Sequence, residues 1–341
     1  MLTRDNYQGL FAYPPTPCRQ DLSLDEEGLR SNLRKLIRIG VSGIALAGTS
    51  GECYALTEAE HRRVAEILRE ETKDTGVRSI LGTTGLSTRE AIERSRMAME
   101  IGLDGVMTVQ PYYSPLTRGE LLKFWADLCA ACPDIGVIVY HYDWVRQEYT
   151  PEIFRELARL PNLIGSKEAH WDFGKWLRMH RESPLVHMSS TDAGWLVELF
   201  RQGAVGVGSL QVCYMPHIVQ KVLDLCSQER FVEAERVLAP FTELVGRLKM
   251  GYGQPHVFPI DLPRWADYSN TARHKALVDA FGFLHVGPPR PPAIPVPDAL
   301  QSRLQEFLQE RYPELIPPPD FADTIAPGRR LWPASEGKRS S

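Results

Sequence analysis

The chain has 341 residues, 43% of them hydrophobic and 24% charged, with a formal net charge of −4. That is apolar material enough for a large core, and a charge balance with no electrostatic basis for holding nucleic acid. No apolar run approaches the roughly 20 residues of a membrane helix, and the start Met1-Leu2-Thr3-Arg4-Asp5 lacks the layout of a secretion signal, so a cytoplasmic protein with small-molecule partners is expected.

From the N-terminus onward, short apolar runs alternate with longer stretches of helical spacing. The first run, Gly9–Tyr13, passes directly into Pro14-Pro15-Thr16-Pro17. Then come an amphipathic segment over Asp25–Ile39, a run at Gly43–Ala47, a helix over Thr57–Thr72, a run at Ser79–Thr83, a helix over Thr88–Ile101, a run at Gly105–Val109 and a helix over Thr117–Ala131. Further runs stand at Gly136–Tyr140, Leu163–Lys167, Val186–Ser190 and Ala204–Leu210. Runs apolar on both faces and separated by helices are the pattern of parallel strands with helical crossovers. A Gly-x-x-Gly spacing recurs at Gly40/Gly43, Gly102/Gly105 and Gly203/Gly206. Each copy falls between a helix end and a strand start, where the first glycine suits a left-handed cap.

Eight such units, spaced roughly 25 to 30 residues apart, fit an α/β fold of the (β/α)8 TIM-barrel type, whose usual length is roughly 250 residues. A doubly wound open sheet would want a phosphate-binding glycine fingerprint after its first strand, and the prolines after Tyr13 cannot supply one. The reading is a barrel over residues 1–212, a C-terminal helical extension packed on it over 213–312, and an extended or disordered tail over 313–341 that holds Pro317-Pro318-Pro319. The six cysteines are dispersed, unlike a secreted disulfide scaffold. The pair Cys129-x-x-Cys132 closes a helix and stops at Pro133, a context that favours a structural role over redox or zinc chemistry.

Barrel enzymes carry their chemistry at the C-terminal ends of strands. Lys167 closes an otherwise small and apolar strand, Leu163-Ile164-Gly165-Ser166. An amine there would point into the barrel mouth, where burial lowers its pKa from ~10.4 towards the ~7–8 that carbonyl attack needs. Tyr140 has the same placement one strand earlier, and its phenol can shuttle protons. The alternatives are a lysine that reaches solvent and an aromatic that merely forms the rim. The turn Gly48-Thr49-Ser50-Gly51-Glu52 offers backbone N–H groups and two hydroxyls as a seat for a carboxylate, or is a plain tight turn.

Together these pieces resemble the dihydrodipicolinate synthase / N-acetylneuraminate lyase superfamily of class I aldolases. Gly48-Thr49-Ser50-Gly51-Glu52 with Leu56-Thr57 is similar to its G-T-T-G-E…L-T segment, and Pro111-Tyr112-Tyr113 to its P-Y-Y. Tyr140 ends a V-I-V-Y strand, Lys167-Glu168 matches the Schiff-base K-E after Pro161-Asn162, and Arg290-Pro291-Pro292 resembles a C-terminal segment. The resemblance spans roughly residues 8 to 297. It implies that Lys167 forms an imine with pyruvate or a related 2-oxo acid, that Tyr140 donates and accepts protons, and that Thr49 and Tyr113 relay them. In many members the tyrosine matching Tyr113 reaches in from a neighbouring subunit. It also implies a carboxylate seat at Gly48, Thr49 and Ser50, no metal or organic cofactor, an aldehyde as second substrate, and a homotetramer built as a dimer of dimers.

The departures cluster where the second substrate would bind. His141, Tyr142 and Asp143 replace an asparagine and nearby proline, and Ala169-His170-Trp171-Asp172 replaces a small-Gly-Asp stretch. Gly208 stands where a β-branched residue is usual, Cys213 where asparagine is usual, and Arg146 is one position away from an arginine some members use for a second carboxylate. Gly208 is expected to widen the pocket, with His141, Tyr142, Trp144 and Trp171 along it, for an acceptor bulkier or more aromatic than a small sugar. Three other readings stand beside aldol chemistry. They are a Schiff-base dehydratase of a 2-oxo-3-deoxy sugar acid, a metal-dependent barrel hydrolase using His141-x-Asp143 and His170-x-Asp172, and a non-catalytic 2-oxo acid binder.

Overall fold

The computed structural model describes residues 1–142, 145, 147–170, 172–190, 192–248, 262, 265–326 and 328–332. Eight parallel strands carry the fold: β1 (Gly9–Ala12), β2 (Gly43–Leu46), β3 (Arg78–Gly82), β4 (Gly105–Thr108), β5 (Gly136–Tyr142), β6 (Leu163–Ala169), β7 (Val186–Ser189) and β8 (Gly206–Ser209). Each pairs with its chain neighbour from β1 to β7, and β8 pairs with β1 and lies beside β7. The sheet is therefore a TIM barrel closed except for its β7/β8 seam.

The crossovers are α1 (Glu26–Arg38), α2 (Glu58–Thr72), α3 (Thr88–Ile101), α4 (Arg118–Ala131), α5 (Pro151–Leu157), α6 (Phe173–Glu182) and α7 (Asp192–Arg201). Their starts are set by short-range chemistry. Thr57 and Thr117 each accept the backbone N–H of a glutamate three residues on, which bonds back to the cap. Their ends are set partly by the repeat: Gly40, Gly102 and Gly203 have φ of +85°, +85° and +81°, left-handed values that a side chain resists.

Alternation along the strands separates two apolar layers. Phe11, Ala45, Ile80, Met107, Ile138, Ile164 and Met188 fill the barrel interior, which Leu2 and Tyr7 of the N-terminal segment also enter. Leu46, Leu81, Val106, Val137 and Val207 face the helices. After β8 comes α8 (Pro216–Ser227), which completes the eighth unit, so the barrel's helical layer runs past residue 212. Then follow α9 (Phe231–Arg247), α10 (Asn270–Phe281), α11 (Asp298–Arg311) and α12 (Phe321–Thr324).

The expected extended or disordered tail is corrected over its described part. Leu315, Phe321, Ile325, Leu331 and Trp332 are buried, the Leu331 N–H donates to the Gly40 carbonyl at 3.0 Å, and Arg329 pairs with Asp224 at 2.7 Å. The proline-dense composition hid spaced apolar anchors that dock on the helical layer. All six cysteines are free, and burial pushes the Cys129 thiol up to about 12, as its structural reading requires.

Candidate active site

The site is made by strand periodicity plus one irregularity. On β5, Ile138, Tyr140 and Tyr142 face the barrel interior, and on β6 Ala169 does so too. The β5/β6 ladder starts with Val137 opposite Leu163 but continues with Ile138 opposite Gly165, so one extra residue enters β6. That bulge is what sets Lys167, rather than Ser166, opposite Tyr140. Both strands run two residues past the ends expected from sequence, so Tyr140 and Lys167 stand within the ladder, held on both sides.

Lys167 is 7% exposed and makes no hydrogen bond among the described residues. Its Nζ lies 4.0 Å from the ring centroid of Tyr13 and 4.1 Å from that of Tyr140. Burial lowers its pKa from 10.5 to about 7, which leaves a large neutral, nucleophilic fraction at neutral pH. The Tyr140 hydroxyl lies 3.3 Å from Thr49 Oγ1, and burial raises the phenol's pKa above its usual range. Tyr142 stacks on Tyr140 with centroids 5.2 Å apart.

Above this cluster opens a cavity of about 450 Å³ whose wall includes Gly48, Thr49, Tyr140 and Tyr142. Met107, Val109, Tyr112 and Val145 make it largely apolar, and Ser269, Thr271, Pro292 and Ala293 close it from the C-terminal region. Two contacts hold that region to the turn after β2. The Glu52 carboxylate accepts the Arg290 N–H at 2.8 Å and pairs with Lys275 at 2.6 Å, both side chains being 1% exposed. Arg290 in turn binds Glu60 at 2.7 Å.

Of the residues singled out from sequence, Tyr140, Thr49, Gly48 and Tyr142 line the cavity, and Lys167 sits against the Tyr140 ring without being part of the wall itself. Four others stand elsewhere. Ser50 is half-buried and off the cavity wall. Tyr113 is 88% exposed and off the wall of its own chain, where Tyr112 stands instead. Gly208 does not widen the cavity: a Cβ there would sit 2.2 Å from the Tyr13 ring, so its space is already filled. His141 is buried on the opposite face of β5, one residue out of phase with its tyrosine neighbours. Trp171, like Asp143, Trp144 and Arg146, lies outside the described residues.

His141 belongs to a polar cluster behind the barrel wall. The Glu168 carboxylate takes hydrogen bonds from His141 Nδ1 at 2.6 Å, His170 Nε2 at 2.9 Å, and His187 Nδ1 at 3.3 Å, and also from Ser166. Burial alone would raise its pKa, but its electrostatic interaction with His141 and these hydrogen-bond donors hold it well below the usual carboxylate range. Ligand atoms of His141, Glu168 and His170 lie within 4.8 Å of one another, a spacing a metal ion could use. In the structure these atoms serve Glu168, on the helix side of the wall and away from the cavity. Asp172, of the second His-x-Asp pair, caps α6 by accepting from Lys175 N at 2.9 Å.

Sequence reasoning missed Tyr13, Ser269, Thr271 and Ala293, and named Pro292 only as part of a family-like segment. A signal for Tyr13 existed, since a tyrosine closing the first run matches a glycine in the eighth. Ser269 and Thr271 lie in no motif that ties their hydroxyls to a site far upstream in the chain.

A parallel barrel with a desolvated lysine beside a phenol, near an apolar cavity at the C-terminal end of the strands, is an arrangement suited to a carbon–carbon lyase or aldolase. The chain belongs to the dihydrodipicolinate synthetase family, whose profile matches residues 6–260. It is 37% identical over 244 residues to a 4-hydroxy-tetrahydrodipicolinate synthase of Methanospirillum hungatei, which covers 70% of this chain and 82% of that protein. Its fold is similar to that of YagE from E. coli K12, solved in complex with pyruvate, with TM-score 0.77, 21% identity, and 91% and 99% of the two chains covered. Proteus mirabilis N-acetylneuraminate lyase gives TM-score 0.76 at 19% identity, covering 89% and 98%. Among the described residues no helix is long and apolar enough to cross a membrane.

Proposed function

We propose that this enzyme is a class I aldolase that forms an imine between Lys167 and pyruvate or a related 2-oxo acid, without metal or organic cofactor. The observation that carries the reading is the Lys167 amine, nearly sealed from water, with its pKa pulled to about 7 and its Nζ 4.1 Å from the Tyr140 ring. The neutral amine attacks the carbonyl carbon C2. The carbinolamine then loses its hydroxyl as water, with the Tyr140 hydroxyl supplying the proton, and a protonated imine remains. The phenolate recovers a proton from C3, the resulting enamine carbon forms the bond to an aldehyde whose oxygen takes the Tyr140 proton, and water then releases the product from Lys167; the reverse sequence breaks the bond. Thr49 is the proton relay to Tyr140, and the Gly48–Ser50 turn is the carboxylate seat. Because burial raises the Tyr140 pKa, its phenolate is short-lived, which suits a group that must return its proton in each cycle.

The acceptor half of the site favours an apolar or aromatic aldehyde. Met107, Val109, Tyr112, Tyr142 and Val145 offer it contact area, and Thr84, Ser269 and Thr271 offer a few hydroxyls. Tyr113 stands free at the rim, available to a neighbouring subunit of a homo-oligomer, a dimer of dimers being the assembly proposed. Borohydride reduction in the presence of pyruvate, followed by peptide mass mapping, tests the proposal. A stable adduct on Lys167, absent from Lys167→Ala, is expected. Failure to trap pyruvate or any other 2-oxo acid on that residue would overturn it.

A further inference from the structure

The mechanism leaves unused the second ring at the lysine. Tyr13 follows the last residue of β1, and its N–H donates to the Ser209 carbonyl of β8 at 3.2 Å. Its ring covers Gly208, where a Cβ would lie 2.2 Å from ring carbon Cε2 and 2.7 Å from the hydroxyl. The hydroxyl end is tied down as well. Tyr13 is hydrogen-bonded to Tyr7, and Tyr7 donates to the backbone carbonyl of Ser166 at 3.3 Å. The ring is thus pinned at its backbone, at its face over Gly208, and at its tip. It is fixed to the segment that carries Lys167, with its centroid 4.0 Å from Nζ.

A donor bound as an imine places C2 at Nζ, so its C3 substituent must fit beside that ring. A planar imine can lie against an aromatic face at this distance, and a methyl group adds little bulk. A longer or branched C3 substituent would have to displace a side chain held at three points. We infer that Tyr13, seated over Gly208, sets donor size at Lys167, admitting pyruvate and discriminating against 2-oxo acids with larger C3 substituents. Tyr13 is a specificity-determining residue, and Gly208 is the vacancy that allows it. The inference rests on the imine reading above and adds to it the identity of the donor.

The test measures rates of borohydride trapping on Lys167 with pyruvate and with 2-oxobutanoate. One methylene against a rigid wall is worth about 10- to 200-fold, and wild type is expected to prefer pyruvate by a ratio in that range. Tyr13→Ala and Tyr13→Leu should bring the ratio to within about threefold of unity, a small part of that methylene discrimination. Tyr13→Phe, which keeps the ring, should retain the preference. Gly208→Ala approaches from the other side: its methyl group dislodges the ring, and the ratio should change with Tyr13 still present, which keeps the test open if Tyr13→Ala misfolds. Wild type that traps both acids equally, or Tyr13 variants that keep the wild-type ratio, would overturn the inference and leave the imine intact. Wild type that traps neither acid would instead remove the reading beneath it.

Discussion

Replacing Lys167 with methionine isolates the energetic claim under the mechanism, because methionine fills nearly the same volume without a charge. Burial pulls the Lys167 pKa from 10.5 to about 7. In the unfolded chain the amine keeps its proton up to ~10.4, so between the two values the unfolded state binds more protons than the folded one. Stability then rises with pH across that window, by about 1.4 kcal/mol per pH unit, and the cost is fully present below the folded value of about 7. The whole interval from 10.5 to about 7 corresponds to about 5 kcal/mol at most. Attraction of the ammonium to the two tyrosine rings, about 1 to 2 kcal/mol, offsets part of it. Lys167→Met is therefore expected to be more stable than wild type by about 3 kcal/mol at pH 6, and the gain should shrink as pH rises from 7 to 9. Urea unfolding followed by circular dichroism, at fixed protein concentration, measures the difference at each pH. Parallel curves for the two proteins, or a variant less stable at pH 6, would show that the amine is solvated.

Tyr140→Phe keeps the ring and removes the hydroxyl that meets Thr49 Oγ1 at 3.3 Å. Turnover should fall by about 10²- to 10⁴-fold while borohydride still traps the donor on Lys167; unimpaired turnover would remove Tyr140 from the proton path. Lys275→Met strands the Glu52 carboxylate, which now pairs with that amine at 2.6 Å, and should cost about 3 to 5 kcal/mol of stability. The same change frees the turn proposed to seat the donor, so KM for the 2-oxo acid should rise more than kcat falls. An unfolding midpoint equal to wild type would show that the pair contributes nothing to holding the turn.

What could be read in advance follows the range of the interactions involved. The eight runs, the helices between them and the Gly-x-x-Gly caps are local signals, and the strands, β5 and β6 included, fall within two residues of their expected places. Tyr140, Lys167 and Tyr142 could be placed in advance because each sits at the mouth end of its strand, and Thr49 because it stands in the turn just past β2. His141 was misjudged because adjacent residues of a strand face opposite ways, and the motif alone did not say which faced in. Gly208 was misjudged because an absent side chain is not the same as empty space. Whether Tyr13, just past β1, or a substrate fills that space depends on the pairing of the first strand with the eighth, almost 200 residues apart. The tail beyond residue 312 was misjudged on composition, since its anchors, Leu315, Phe321, Ile325, Leu331 and Trp332, are spread among prolines and polar residues.

The same two strands show why the site needs a defect. Continued without interruption from Val137 opposite Leu163, the ladder would set Tyr140 against Ser166 and turn the lysine away from the phenol. The extra residue in β6 moves the register by one, which in a strand reverses every side chain beyond it. It brings Lys167 inward, beside Tyr140, and sends Ser166 and Glu168 outward to the histidines. Neighbouring residues thereby acquire opposite fates: an amine made partly neutral by a dry barrel, and a carboxylate kept ionised by donors on the other side of the wall. The bulge also explains Gly165. A Cβ there would lie 2.3 Å from the Val186 carbonyl of β7 and 3.1 Å from the Tyr7 ring, so no larger residue fits at the bulge without displacing one of them.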